Sequence, residues 1–140
     1  MTKVVYNACY GGFNLSREAC KRYWELQGKQ VWIEDGDFTD MFTVWLVPPE
    51  ERLTKPEPWY SAPIEERIAF NEQYSKQTWS DRNVSRHDHI LVQVVEELGD
   101  KANGMCAKIA IEEVSGPYRI DEYDGNESVV EPDGYDWITP

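Results

Sequence analysis

The sequence predicts a small α+β domain in which helices pack on one face of an antiparallel or mixed β-sheet. Segments with strand and helix patterns follow one another in the order β, α, β, β, α, α, β, β, which lacks the regular alternation of a parallel α/β fold. The chain has 140 residues, a length that suffices for one hydrophobic core. We therefore expect a single domain spanning 1–140.

The N-terminal elements are a strand, a glycine turn and a capped helix. Residues 3–9 form an apolar strand that runs into Gly11 and Gly12. Ser16 suits the N-cap of the following helix, in which apolar residues recur at helical spacing and which ends near Gly28. Two further strands are predicted at 30–34 and 41–47, with a turn at 35–37 between them.

Residues 48–82 are predicted to form an insertion or flap. The segment starts as a proline-rich loop. A helix is predicted to begin near Pro63, a residue suited to the first helical turn, and to fade around residue 79. We expect this segment to expose three aromatic side chains, those of Trp59, Tyr60 and Trp79.

The C-terminal half begins with the clearest helix of the chain. Residues 86–98 carry a continuous apolar stripe, with Asp88 as the predicted N-cap and Gly99 at the end. Strands are predicted to follow at 105–114, 118–123 and 128–130. The segment 126–140 is acidic, and we expect the rings of Tyr135 and Trp137 to dock it onto the domain.

Strand alternation in 118–123 separates two sets of side chains. Arg119, Asp121 and Tyr123 share one face. Glu122 lies on the other face beside apolar residues, so we expect its carboxylate to be buried and paired.

The net charge of −12 is unevenly distributed. Residues 1–30 hold five basic and two acidic side chains, whereas 111–140 hold one basic and nine acidic ones. Such an acidic surface repels nucleic-acid polymers, so we expect none as a partner. The sequence also lacks a long apolar window and a leader-like start, so we expect no membrane partner and a cytoplasmic location. The three cysteines, Cys9, Cys20 and Cys106, are interpreted as small core residues.

The turn at 10–13 is the strongest candidate for a binding element. A strand, a glycine turn and a helix start together expose backbone N–H groups at the positive end of a helix dipole, which attracts anions such as phosphate. Arg17 in the first helical turn supplies counter-charge. The turn is neither a dinucleotide fingerprint nor a Walker motif, because Gly-x-Gly-x-x-Gly and Gly-Lys-Ser/Thr are absent. The alternative is a tight strand-to-helix connection that needs positive φ.

A polar cluster at 86–89 contains both histidines of the chain. Because no further ligand group stands at metal spacing, we expect no metal site. Asp88 instead caps the helix and leaves Arg86 directed at a ligand phosphate or at a carboxylate. Asn103 either caps the end of a short helix before a strand or forms hydrogen bonds with a base edge or a ribose.

The sequence gives no argument for catalysis. Glu96 and Glu97 are adjacent acids on a helix face, and such pairs are usually only solvated. The sequence contains no nucleophile elbow and no Ser–His–Asp arrangement that recommends itself. We therefore expect a binding protein without a cofactor.

Three segments, 4–16, 86–104 and 118–125, together resemble a family of short phage proteins that includes the first-described Thoeris anti-defence proteins. Those proteins are sponges for cyclic ADP-ribose signals. The resemblance implies sequestration without chemistry: bacterial TIR-domain enzymes make a glycosyl cyclic ADP-ribose signal, and the phage protein holds that signal away from its effector. It also implies a homo-oligomer built from dimers, with ligand sites near subunit interfaces and, in some members, a second site for cyclic oligonucleotides.

A sponge for a small cyclic nucleotide needs groups that hold a pyrophosphate, an adenine and a ribose. Arginine and backbone N–H groups suit the phosphates, aromatic rings suit the base, and amides suit the sugar. The candidate ligand-binding residues are Asn7, Tyr10, Gly11, Gly12, Phe13, Arg17, Arg86, Asn103, Arg119 and Tyr123.

Two other classes of protein stay open at this point. An acidic protein-binding inhibitor or DNA mimic would use the region 111–140, and its binding would weaken steeply with salt. A small nucleotide-processing enzyme would use Glu96, Glu97 or Glu122, and one Glu→Gln change would abolish its turnover.

Overall fold

The computed structural model describes residues 1–37 and 41–132. This part of the chain contains three α-helices and seven β-strands, which confirms the α+β class. In chain order they are β1 (Thr2–Asn7), α1 (Arg17–Glu25), β2 (Trp32–Asp35), β3 (Phe42–Trp45), α2 (Ile64–Gln77), β4 (Thr78–Trp79), α3 (His89–Leu98), β5 (Ile109–Val114), β6 (Arg119–Tyr123) and β7 (Asn126–Val130). Short 3-10 helices lie at Pro49–Glu51, Trp59–Ser61, Asp81–Asn83 and Gly99–Ala102.

The strands form three small antiparallel sheets where one sheet was predicted. Their orders are β1-β5, β2-β3-β4 and β6-β7. Strand β7 lies beside β1 but does not pair with it, because other groups occupy the edge of β1 that faces away from β5. On that edge, the Val5 N–H donates to the Arg86 carbonyl at 2.8 Å and the Asn7 N–H donates to the Glu127 carboxylate at 2.8 Å. A carbonyl and a side chain thus occupy positions that a further strand would need.

The core lies where α3 packs against both α1 and β1. Its fully buried side chains include Val5 on the strand, Ala19 on α1, and Leu91 and Val94 on α3. The apolar stripes of both predicted helices are therefore confirmed as core-facing.

Both predicted N-caps are also confirmed. The Ser16 hydroxyl accepts from the Ala19 N–H at 3.1 Å. One Asp88 carboxylate oxygen accepts from the N–H groups of Ile90 at 2.8 Å and Leu91 at 3.1 Å. Each cap satisfies backbone donors that a helix start leaves without partners.

The predicted flap divides into an exposed part and a core part. Helix α2 has no buried residue, and Tyr60 is 91% exposed. The prediction of an exposed Trp79 is wrong, because β4 pairs with β3 and brings this ring against α1. The Trp79 ring stacks on Tyr23 with centroids 5.3 Å apart and meets Trp24 edge-on. Trp59 is also partly covered, by an edge-on contact with Phe70.

Two smaller predictions, on Glu122 and on the cysteines, need correction. Glu122 is exposed, and its carboxylate accepts from the Gly125 N–H within the β6–β7 turn. The buried acid of this hairpin is Glu127, which is 8% exposed. Cys20 is a core residue as predicted, whereas Cys106 is exposed and Cys9 is partly buried. The docking of Tyr135 and Trp137 lies outside the described residues.

Candidate functional site

The glycine turn packs against the turn between β6 and β7. Gly11 and Gly12 adopt φ values of +119° and +94°, and the Gly11 N–H donates to the Asp124 carbonyl at 3.1 Å. Gly125 lies so close that a Cβ on it would overlap the Gly12 backbone nitrogen. The two turns therefore meet backbone to backbone, which only glycine permits.

The Asn7 side chain connects three segments: the residues before the glycine turn, the β6–β7 turn and the residue before β5. Its side chain is buried, and its amide nitrogen donates to the carbonyls of Cys9 and Gly125, both at 2.7 Å. Its amide oxygen accepts from the Lys108 N–H at 2.8 Å. Both amide hydrogens and the oxygen thus have protein partners.

Arg86 faces a carboxylate, which is one of the two directions that the sequence left open. Its two terminal nitrogens donate to the two oxygens of Glu127 at 2.6 and 2.9 Å. The guanidinium also lies over the Phe13 ring, 3.7 Å from its centroid. A phosphate would have to displace Glu127 to obtain the same bidentate contact.

The aromatic candidates Tyr10 and Tyr123 lie together at the surface. Their rings meet edge-on with centroids 6.5 Å apart, and the two side chains are 62% and 73% exposed. They are the members of the predicted set with most free surface for stacking.

Direct contacts connect seven of the ten predicted residues through the β6–β7 turn and Glu127. These seven are Asn7, Tyr10, Gly11, Gly12, Phe13, Arg86 and Tyr123. The other three have different partners. Asn103 accepts from the Ile109 N–H at 2.8 Å, and Arg119 pairs with Asp121 at 2.9 Å on the exposed face of β6. Arg17 pairs with Asp35 at 2.8 Å.

A groove of about 640 Å³ lies elsewhere, and none of the ten predicted residues lines it. Its walls come from β3, the end of α2, β4 and the segment that follows β4, and Asn14, Cys20 of α1 and Met105 complete the lining. The lining residues are Asn14, Cys20, Met41, Phe42, Thr43, Val44, Tyr74, Ser75, Thr78, Trp79, Ser80, Asp81, Asn83 and Met105.

Asp81 is the single charged residue among these lining residues. One of its carboxylate oxygens accepts from the buried Leu15 N–H at 2.9 Å. Burial raises the pKa of Asp81 above its ordinary value of 3.8, against smaller opposing effects that include hydrogen bonding and the charges of Arg82 and Arg86. The neighbouring thiol is inert at neutral pH, because burial, helped by the charge of Asp81, raises the pKa of Cys20 to about 12.

Arg17 is a predicted binder that contacts two residues of the groove lining. Its guanidinium lies 4.8 Å from the centroid of the Phe42 ring, and one of its nitrogens donates to the Met41 carbonyl at 3.4 Å. Phe42 and Met41 both line the groove. The groove therefore combines aromatic walls, hydroxyl and amide groups, one carboxylate, and a guanidinium at its side.

Sequence reasoning missed this groove because its walls come from segments far apart in the chain. One signal is available in the sequence: Phe42, Tyr74 and Trp79 are large aromatic residues of the middle region, and a small core cannot enclose them all. Their convergence depends on the pairing of β3 with β4, which no local pattern reveals.

The described residues contain no group of three or more His, Cys, Asp or Glu side chains placed to hold a metal ion. Within residues 1–37 and 41–132, every helix is too short or too polar to cross a lipid bilayer. Comparison of the chain with protein-family models, curated proteins and solved structures finds no match in any of the three.

Proposed function

We propose that this protein is a phage anti-defence sponge that acts in the cytoplasm of the bacterial host. It binds a cyclic ADP-ribose-type immune signal of the Thoeris system and holds it without cleaving it. The observation that carries the proposal is the groove of about 640 Å³, whose lining contains three aromatic residues and several polar ones. The likeness of segments 4–16, 86–104 and 118–125 to the anti-defence family supports the choice of ligand.

The size and lining of the groove suit a nucleotide. Pockets for small molecules have volumes of roughly 300–1,000 Å³ and combine apolar walls with a few placed polar groups. Phe42, Tyr74 and Trp79 offer ring surfaces for a base, while Thr43 and Asn83 offer hydrogen-bonding groups for a sugar. These contacts hold a ligand and do not activate it.

The chemistry of the groove also favours storage over turnover. Its one carboxylate, Asp81, has no histidine or second acid beside it in the lining, and its one thiol is protonated at neutral pH. A sponge needs slow release of its ligand and no general base. The glutamates considered for catalysis lie on the surface, where Glu96 pairs with Lys3 and Glu97 with Arg22.

The proposal includes a homo-oligomer. Helix α2 presents Ile64 and Ile68 one turn apart, 59% and 51% exposed, and Tyr60 nearby in the chain is 91% exposed. Apolar side chains at this spacing form a stripe that a second copy of the chain can cover. Light scattering on a size-exclusion column tests this part: Ile68→Glu is expected to lower the measured mass to that of a monomer, and an unchanged mass would contradict it.

A groove-blocking variant tests the ligand site. Ser75 and Lys76 are consecutive exposed residues of α2, and only Ser75 lines the groove. Ser75→Trp should fill the groove and weaken binding of cyclic ADP-ribose isomers, measured by isothermal titration calorimetry, by at least about tenfold. Lys76→Trp adds the same bulk next to it and should leave binding unchanged.

Three outcomes are distinct. Loss of binding in Ser75→Trp alone supports the groove as the site. Equal binding by both variants and the wild-type protein means that the ligand binds outside the groove, and the cluster around Arg86 and Phe13 is then the next candidate site. No binding of any isomer by the unchanged protein contradicts the proposed function.

A further inference from the structure

Asp81 has an unusual position for an aspartate. It belongs to the 3-10 helix Asp81–Asn83 directly after β4, and it is partly buried in the wall of the groove. Its hydrogen bond to the Leu15 N–H uses one carboxylate oxygen and fixes the orientation of the side chain. The carboxylate is therefore held in place within the groove instead of moving on the surface.

The surroundings of Asp81 determine what the groove can accept. None of the lining residues is Lys, Arg or His, so the lining itself carries a negative charge and no positive one. The nearby guanidinium groups of Arg17, Arg82 and Arg86 lie outside the lining. A phosphate next to a partly buried carboxylate would meet like-charge repulsion in a poorly solvated site. A neutral hydroxyl or amine, in contrast, gains a charge-assisted hydrogen bond.

We propose that Asp81 is the residue that selects the nucleoside part of the ligand, by accepting hydrogen bonds from its ribose hydroxyls or from the exocyclic amine of its base. The base and sugar then occupy the groove beside Phe42 and Trp79, and the phosphates stay outside it. This inference rests on the proposed function and adds to it which end of the ligand enters the groove.

The minimal ligand of the groove is then a nucleoside. A nucleoside without any phosphate should bind in the groove by itself, with lower affinity than the whole signal. Inorganic pyrophosphate should not compete with it, because the two occupy different places.

The test uses isothermal titration calorimetry of the full chain with three nucleosides. Adenosine carries both kinds of donor, 2′,3′-dideoxyadenosine lacks the ribose hydroxyls, and inosine lacks the exocyclic amine. We expect one of the two analogues to bind about 10- to 100-fold more weakly than adenosine, since a hydrogen bond to a charged acceptor is lost. The weaker analogue identifies the donor. This comparison uses the unchanged protein and so does not depend on how any variant folds.

A matched pair of variants completes the test. Asp81→Asn keeps an oxygen for the Leu15 N–H but presents an amide where the carboxylate stood, and it should weaken adenosine binding about 10- to 100-fold. Asp100→Asn makes the same change at an exposed residue outside the groove lining and should have no effect.

The results separate this inference from the proposed function. Equal affinity of all three nucleosides, or undiminished adenosine binding by Asp81→Asn, overturns the inference but does not contradict the proposed sponge function. The same holds if the protein binds cyclic ADP-ribose but no nucleoside, or if pyrophosphate displaces adenosine. Binding of neither cyclic ADP-ribose nor adenosine overturns both.

Discussion

Removal of the Glu127 carboxylate should be one of the most damaging single changes in the chain. Glu127 accepts three hydrogen bonds, two from Arg86 and one from the Asn7 N–H, and is 8% exposed. Glu127→Ala leaves the Arg86 guanidinium, 23% exposed, without its counter-charge. It also leaves the N–H of a buried residue unpaired at the edge of β1.

The size of the loss follows from these contacts. Breaking a buried ion pair by removing one partner costs about 3–5 kcal/mol, and the partial exposure of Arg86 favours the lower end of that range. An unpaired buried donor costs about 1–3 kcal/mol. Because the two costs overlap, we expect about 4 kcal/mol in total, a large share of the 5–15 kcal/mol that typically stabilises a domain.

Urea denaturation followed by tryptophan fluorescence measures this loss. With a slope of about 2 kcal/mol per molar urea, the midpoint of Glu127→Ala should fall by about 2 M. Asp121→Ala is the matched control, because it removes the partner of an exposed arginine, Arg119, in the same hairpin. Its cost should stay below about 1 kcal/mol.

The double variant Arg86→Met with Glu127→Met provides a second check. Replacing a buried pair by apolar side chains is often close to neutral, so this variant should recover most of the lost stability. A midpoint for Glu127→Ala as high as that of Asp121→Ala would refute the reasoning, since Arg86 would then not depend on Glu127.

Three further predictions concern stability, each measured by the same denaturation. Gly125→Ala should cost about 2 kcal/mol or more, because φ is +85° and a Cβ there overlaps Gly12, whereas Gly116→Ala in open space should cost less than about 0.5 kcal/mol. Asp88→Ala should cost about 1–2 kcal/mol through the loss of the α3 cap and of the 3.1 Å bond from the Tyr23 hydroxyl, and a change below 0.5 kcal/mol would contradict this role. Asp81→Asn should be more stable than the unchanged protein at pH 7, because the raised pKa of Asp81 means that its ionised form is penalised in the fold. As the pH falls through that raised pKa towards 3.8, the folded protein takes up a proton that the unfolded chain does not yet bind, so the advantage of the variant should shrink; a difference independent of pH would contradict the assignment.

The sequence predicts the parts of this fold that depend on local signals. The Ser16 and Asp88 caps, the apolar stripes of α1 and α3, and the positive φ in the glycine turn all come from residues close together in the chain. In such cases propensity, capping and side-chain periodicity agree, which makes the prediction secure.

The sheet arrangement and the groove depend on long-range contacts that local patterns do not contain. The buried Glu127 shares the alternation of β7 with Val129, but its partner Arg86 is 41 residues away in sequence, so no spacing rule links them. The sequence predicts an exposed insertion around Trp79, because only the pairing of β4 with β3 turns its ring towards Tyr23. The groove cannot be predicted from local patterns either, because Asn14, Phe42 and Asp81 come together only in the folded chain.

The predicted binding residues show why chemical type alone does not locate a site. Arg86 and Asn7 have the groups that a nucleotide needs, yet their donors already serve the fold, as does the side-chain oxygen of Asn103. The sequence shows which groups a chain possesses, but the structure shows which of them other residues have already engaged.

Recovery of the bound ligand tests the central claim most directly. The protein is incubated with cyclic ADP-ribose isomers, washed, denatured by heat, and the released material is analysed by mass spectrometry. We expect one isomer to be recovered intact from the wild-type protein and from Lys76→Trp, and not from Ser75→Trp. Recovery of a cleaved product, or of no isomer at all, would contradict the claim.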